Sequence, residues 1–232
     1  MKKFLPQEAL KIIACLTMLI DHIAAVFLPW EQALPWRTVG RLAFPIFCFL
    51  LAEGAYYTRN PLKYASRLAV GMVLTEIPFD LLFYDKLTME HSSVMVTLLL
   101  SLIAILAVQK LPYVYLQLPV MAVCVIAAEQ LGADYGGLGV LLALGMYLAR
   151  GTKHAGMLRV MLMTAVFWAF NSYKISVFDA VKIPIQMFAV LSFILMELYS
   201  TKKLTGKKAA QWGFYMFYPA HITILLLITK LA

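Results

Sequence analysis

The chain has 232 residues, 62% of them hydrophobic and 14% charged, with a formal net charge of +8. Soluble domains run at roughly 45–50% apolar and about 25% charged, so this composition excludes a soluble enzyme and implies a membrane protein. The positive balance does not imply nucleic acid, because Lys and Arg sit in alternate loops rather than on one amphipathic face or an aromatic platform.

A membrane-spanning helix takes about 20 mostly apolar residues. Hydropathy predicts about nine such spans in an all-α, polytopic bundle: Leu10 to Trp30, Thr38 to Tyr57, Tyr64 to Tyr84, Val94 to Gln109, Tyr113 to Gln130, Gly136 to Ala149, Met157 to Phe170, Val181 to Tyr199 and Trp212 to Thr229. No repeat or long linker divides them, so residues 1–232 read as one membrane domain. Lys2 and Lys3 precede an apolar stretch as in a signal peptide, but Asp21 and His22 interrupt that stretch and no small-x-small cleavage site follows, so the expectation is an uncleaved first helix.

Cationic residues orient the bundle. With the N-terminus cytoplasmic, that side receives Lys2, Lys3, Lys11, Arg59, Lys63, Arg67, Lys110, Arg150, Lys153, Arg159, Lys202, Lys203, Lys207 and Lys208, which leaves six of the 20 Lys and Arg for the other. Cys15, Cys48 and Cys124 lie inside predicted spans without metal-type spacing and read as packing residues. Prolines fall in or beside several spans, and Pro78 and Pro219 coincide with ionisable groups: Pro78 lies between Glu76 and Asp80, and Pro219 precedes His221 by two residues.

A charge at the bilayer centre costs about 2.5–3.5 kcal/mol on insertion scales, so buried ionisable groups face a cavity or a partner. His22 lies roughly 16 Å beyond Lys11 at about 1.5 Å per residue, near the middle of a ~30 Å core, with Asp21 beside it. The same reckoning places Glu76 and His221 near the middle and Asp80 in the outer half, so four groups from three helices converge in depth. On the second span Arg37 and Arg41 share a face near the outer end, and Glu53 lies toward the inner end. Adjacent helical residues point about 100° apart, so Asp21 is poorly placed to orient His22 and is expected to pair with Arg41 instead.

Two central histidines among carboxylates suit general-base chemistry, in which neutral imidazole takes a proton from an amine or hydroxyl as it attacks a carbonyl. Glu76 or Asp80, with Glu53 third, would set the tautomer of His22 and stabilise its imidazolium. Three other readings compete: a structural network fixing helix registry, a proton-coupled small-molecule transporter, and a metal site, for which no His-x-x-x-His spacing exists. His91 and His154 fall in loops and are read as solvated. Arg59, Lys63 and Arg67, four apart, line one face if the third span starts early, as topology and headgroup contacts or as a phosphate site. The segment "ADYGGLGVLL" from Ala133 makes a flexible outer turn with Asp134 and Tyr135 at the mouth, where an acceptor could touch.

Six ordered segments carry a resemblance: "LKIIACLTMLIDHIAAVF" from Leu10, "GRLAFPIFCFLLAEGAYYTRN" from Gly40, "EIPFDLLF" from Glu76, "VMVTLLL" from Val94, "DYGGLGVLL" from Asp134 and "FYMFYPAH" from Phe214. Together they resemble the TraX family of membrane proteins, named for conjugative pilin N-acetylation and similar to wider groups of integral-membrane acyltransferases. The resemblance implies a multi-pass protein of the bacterial cytoplasmic (inner) membrane that transfers acetyl from acetyl-CoA to an amine (a peptide or pilin N-terminus) or a hydroxyl acceptor; no metal is expected, because the sequence lacks ligand spacing for one. Asp21, His22, Arg41, Glu53, Glu76, Asp80 and His221 stand on the matching positions. The roles come from the reading of the residues themselves: His22 as the base, Arg41 and His221 binding the acceptor or stabilising the oxyanion, and, on the phosphate reading, Arg59, Lys63 and Arg67 meeting acyl-CoA phosphates.

Overall fold

The computed structural model describes residues 3–88, 90–170, 174–177, 181–201 and 208–231. Lys2, Lys202, Lys203 and Lys207 of the cytoplasmic set lie outside the described residues. Helices dominate: α1 (Gln7–Phe27), α2 (Trp30–Gly40), α3 (Ala43–Tyr57), α4 (Pro61–Phe83), α5 (Val94–Lys110), α6 (Val114–Gln130), α7 (Gly136–Ala149), α8 (Ala155–Ala169), α9 (Ser192–Glu197) and α10 (Lys208–Leu231). Three stretches are long and apolar enough to cross a membrane: Gln7–Phe27, Trp30–Tyr57 and Trp212–Leu231. The chain is an integral membrane protein. Helix α4 has 23 residues, but Lys63, Arg67, Glu76 and Asp80 make it more polar than those three.

Eight of the nine expected spans correspond to helices, and the second is interrupted by a turn at Arg41–Leu42. The eighth is different. Val181–Pro184 is a strand, β2, paired antiparallel with β1 (Lys174–Val177). A 3₁₀ segment, Ile185–Leu191, and the short α9 follow. Hydropathy detected the apolar content of this stretch, whereas Pro184 removes a donor that a continuing helix would need and fixes its own φ at -57°.

Two compact units make up the chain, Met1–Leu50 with Leu148–Gly206, and Leu51–Tyr147 with Lys207–Ala232. In the first, α1 packs on α2, and α8 packs on the 3₁₀ segment and α9. Leu10, Ile46, Met163, Phe167 and Met196 fill its core. The N-terminal residues are tied to the end of α9: Phe4 and Leu5 donate backbone hydrogen bonds to the Leu198 carbonyl, and Ser200 donates to that of Leu5 at 2.7 Å.

In the second unit, α4 packs on both α10 and α5, and α5 on α6. Leu102, Ile105, Val140, Leu142, Met146 and Ile222 are fully buried there. Helix α4 starts where its sequence instructs: the Asn60 side chain accepts the Lys63 N–H at 2.9 Å, and Pro61 occupies the first turn. Pro219 within α10 leaves the Tyr215 carbonyl without its usual donor, and that oxygen faces Gly71 of α4, where a Cβ would stand 3.7 Å away.

The free cysteines Cys15, Cys48 and Cys124 are all buried, in keeping with a packing role.

Candidate functional site

In the first unit, the aspartate and arginine expected to pair do meet. Asp21 on α1 is buried, and Arg41, at the C-cap of α2, reaches it through Nη2 at 2.5 Å from both carboxylate oxygens. Arg41 Nε donates to the Arg37 carbonyl at 3.1 Å, placing a cation where the helix dipole favours one. Arg37 contributes a second guanidinium, 3.9 Å from Asp21, and also lies over the Trp30 ring, 5.9 Å from its centroid. This close approach requires Gly40: a Cβ there would lie 2.6 Å from Asp21 Cγ and Oδ1. One carboxylate thus faces two cations, and Asp21 serves α1–α2 docking. His22, next along α1, is half-buried.

The second unit gathers most of the remaining predicted residues. Glu76 on α4 accepts the Ser93 hydroxyl at 2.5 Å and the Ser93 N–H at 3.2 Å. Asp80, one turn on, accepts the Thr88 N–H through Oδ2 at 2.9 Å. Its Oδ1 is buried with no hydrogen-bond partner among the described residues. Thr97 donates its hydroxyl to the Asp134 carbonyl, and Asp134 N–H bonds to the Ser92 carbonyl at 2.9 Å. These bonds join α5 and the loop before it to the loop before α7. Tyr135 turns into α7 with φ 67° and Gly136 follows at 48°; the Glu129 carboxylate fits against them and accepts the Gly137 N–H at 2.8 Å.

His221 on α10 is buried. Its Nδ1 is 2.8 Å from the Phe217 carbonyl. Because a carbonyl only accepts, Nδ1 carries the proton in that bond. The ring stacks on Phe217 at 5.0 Å and stands edge-on to Tyr218 at 5.3 Å. The Tyr218 phenol bonds to the Val94 backbone and lies within electrostatic range of Glu76, Asp134 and Tyr135. Glu53 is buried on α3. His91, read as a solvated loop residue, is exposed and stacks on Tyr84 with ring centroids 4.5 Å apart; His154 is also exposed, at the N-cap of α8.

Sequence reasoning missed Ser93, Thr97 and Tyr218. The first two were legible: Ser93, Thr97 and Ser101 recur every fourth residue through an apolar run, marking one polar stripe on α5, and all three are fully buried. Of the three cations thought to share a face, Lys63 and Arg67 lie one turn apart on α4, whereas Arg59 precedes the helix and its Asn60 cap. Among the described residues, no group of three or more His, Cys, Asp or Glu side chains could hold a metal ion.

Comparison with known proteins adds to this geometry. The family model for TraX, described as "TraX protein", matches residues 6–229. The chain is 29% identical over 231 residues to a "Probable fimbrial assembly protein FimC, serogroup H1" of Dichelobacter nodosus, covering 93% of this chain and 92% of that one. An uncharacterized protein of Rickettsia prowazekii (strain Madrid E) is 33% identical over 82 residues, 35% of this chain and 30% of its own. No solved structure matches.

Proposed function

Taking as premise that this chain belongs to the TraX family, we propose that it is a multi-pass acyltransferase of the bacterial inner membrane, moving acetyl from acetyl-CoA to an amine or hydroxyl acceptor. The name of the fimbrial assembly relative points the choice of acceptor toward a peptide or pilin N-terminus. The acceptor nitrogen or oxygen attacks the thioester carbonyl; the new C–N or C–O bond forms as the C–S bond breaks. The proton lost by the acceptor passes through the base to the departing CoA sulfur.

The observation that carries this reading is Asp80, whose Oδ1 is buried and without a hydrogen-bond partner among the described residues while Oδ2 is held by Thr88. A buried carboxylate oxygen left open is costly unless a ligand supplies the missing donor, and an acceptor's N–H or O–H is such a donor. Glu76, within electrostatic range of Asp80, shares the task, and Asp134 and Tyr135 stand beside the Tyr218 phenol. His22 is the proposed general base. His221, buried on α10 beside Tyr218, binds the acceptor or stabilises the developing oxyanion. Arg41, bonded to Asp21, keeps α1 and α2 in register around His22.

The test is acetyl-CoA consumption by detergent-purified protein with a peptide bearing a free N-terminal amine, reading thiol release and peptide mass together. Wild type should release CoA and add one acetyl group; His22→Ala should do neither while melting like wild type. Equal turnover by folded His22→Ala removes that residue from its role. Ion-gradient-driven uptake in proteoliposomes, with no thiol released, would replace the enzyme by a proton-coupled transporter.

A further inference from the structure

At the N-terminal end of α4, Arg67 sits in an aromatic cradle. Its guanidinium carbon lies 5.9 Å from the Tyr64 ring centroid and 5.3 Å from that of Tyr215. The two rings meet edge to face at 6.3 Å. Tyr64 is buried against Gly54, where a Cβ would stand 2.8 Å from its hydroxyl, so the cradle is built into the packing of α3, α4 and α10.

Within this cradle Arg67 Nε donates to the Lys63 carbonyl at 3.1 Å. That bond leaves the Nη1 and Nη2 edge of the fork, and no carboxylate among the described residues lies within salt-bridge distance of Arg67 or of Lys63 one turn away. Lys63 is exposed and Arg67 half-buried. A guanidinium whose plane is fixed by two aromatic faces and whose paired N–H groups are open matches a tetrahedral oxyanion bidentately, and Lys63 adds a second positive charge on the same side.

We propose that Arg67, held by Tyr64 and Tyr215 and assisted by Lys63, is a phosphate-binding site. Two molecules can bring such a group here: CoA, through its terminal 3′-phosphate, and an anionic phospholipid through its headgroup. The CoA arm rests on the acyltransferase reading above and specifies which part of the donor this chain grips; the lipid arm stands without it.

The experiment compares wild type, Arg67→Gln, Arg67→Lys and Lys63→Gln in nanodiscs of phosphatidylcholine alone, titrated with CoA and with dephospho-CoA, and then in nanodiscs containing phosphatidylglycerol. If CoA is the occupant, Arg67→Gln weakens CoA binding by roughly 10- to 100-fold and leaves dephospho-CoA unchanged. Arg67→Lys, retaining charge but losing the fork, falls between, and Lys63→Gln costs a few-fold. If the headgroup is the occupant, CoA binding is unchanged and phosphatidylglycerol raises the melting temperature of wild type but not of Arg67→Gln. Because Lys63 is exposed, its variant keeps the test decisive if Arg67→Gln fails to fold.

Variants that match wild type toward CoA and toward phosphatidylglycerol overturn the site. Wild type that binds neither CoA nor dephospho-CoA counts against the acyltransferase reading instead, and the phosphatidylglycerol arm then decides the fate of Arg67.

Discussion

Replacing Asp21 with Ala removes the carboxylate that Arg41 holds and that Arg37 also faces. The Asp21 and Arg41 side chains are only 10% and 12% exposed, so solvent cannot take over the lost interaction. Breaking a buried pair from one side costs about 3–5 kcal/mol, because the surviving charge is left uncompensated. With roughly 2–4 °C of melting temperature per kcal/mol for a chain of this size, Asp21→Ala should melt about 6–20 °C below wild type. The double variant Asp21→Ala, Arg41→Leu should regain most of the loss, since it removes the more buried cation along with the carboxylate and leaves Arg37, whose side chain is 25% exposed and so reaches water. Melting can be followed in detergent with a thiol-reactive dye, because Cys15, Cys48 and Cys124 are free and buried and react only on unfolding. A single variant melting within 1 °C of wild type, or a double variant no better than the single, would refute a structural role for the pair and return Asp21 to the list of chemical groups.

Gly40→Ala should cost about 1–3 kcal/mol by overpacking, because the new methyl collides with the Asp21 carboxyl; the same melt reads it, and an unchanged melting temperature would mean α1 and α2 slide apart freely. Ser93→Ala, which deletes the hydroxyl donor to Glu76, should lower stability by about 1.5–3 kcal/mol as a lost hydrogen bond to a charged group, whereas Ser92→Ala should cost less because Ser92 Oγ bonds an uncharged acceptor, the Leu131 carbonyl. His221→Gln should raise the KM for the acceptor more than it lowers kcat, while His22→Gln should lower kcat; the reverse pattern would exchange their roles. Asp85 is held below its ordinary pKa by its hydrogen bond to Lys230, so its contribution is present above the unfolded pKa and lost as pH falls through the lower, folded one. The pair is exposed, so Asp85→Asn should melt with wild type from pH 8 to pH 5, and a clear difference there would show that Lys230 anchors α10.

What was legible in the sequence was whatever periodicity and local chemistry determine. The helices of α4 to α8 begin and end within a few residues of the hydropathy spans because apolar length, Asn60-Pro61 and the glycine-rich turn at Gly136 are local signals. The 185–191 stretch defeated the same reasoning, since an apolar run reads alike whether it coils as 3₁₀ or as α-helix. Among site residues, charge conspicuous in an apolar run was easy to find, and the Asp21–Arg41 pair followed from depth and side-chain reach. Tyr218 was invisible because an aromatic in a membrane helix is ordinary; only the tertiary arrangement sets its hydroxyl among Glu76, Asp134 and Tyr135.

The stitched loops differ in kind from the connection between α7 and α8. Ser92 pairs with Ala133 as an isolated bridge and a Cβ at Gly132 would strike the Glu90 and His91 backbone, so added sequence between Glu90 and Ser93 would have to tear out bonds to a second loop. Gly151 has φ 75° and nothing within 4 Å of the space where a side chain would go. A fluorescent or epitope reporter spliced in at Gly151 should therefore be carried without loss of expression, and its compartment would declare which face of the membrane the Arg150–Lys153 loop occupies, while the same insert after Glu90 should abolish the folded protein.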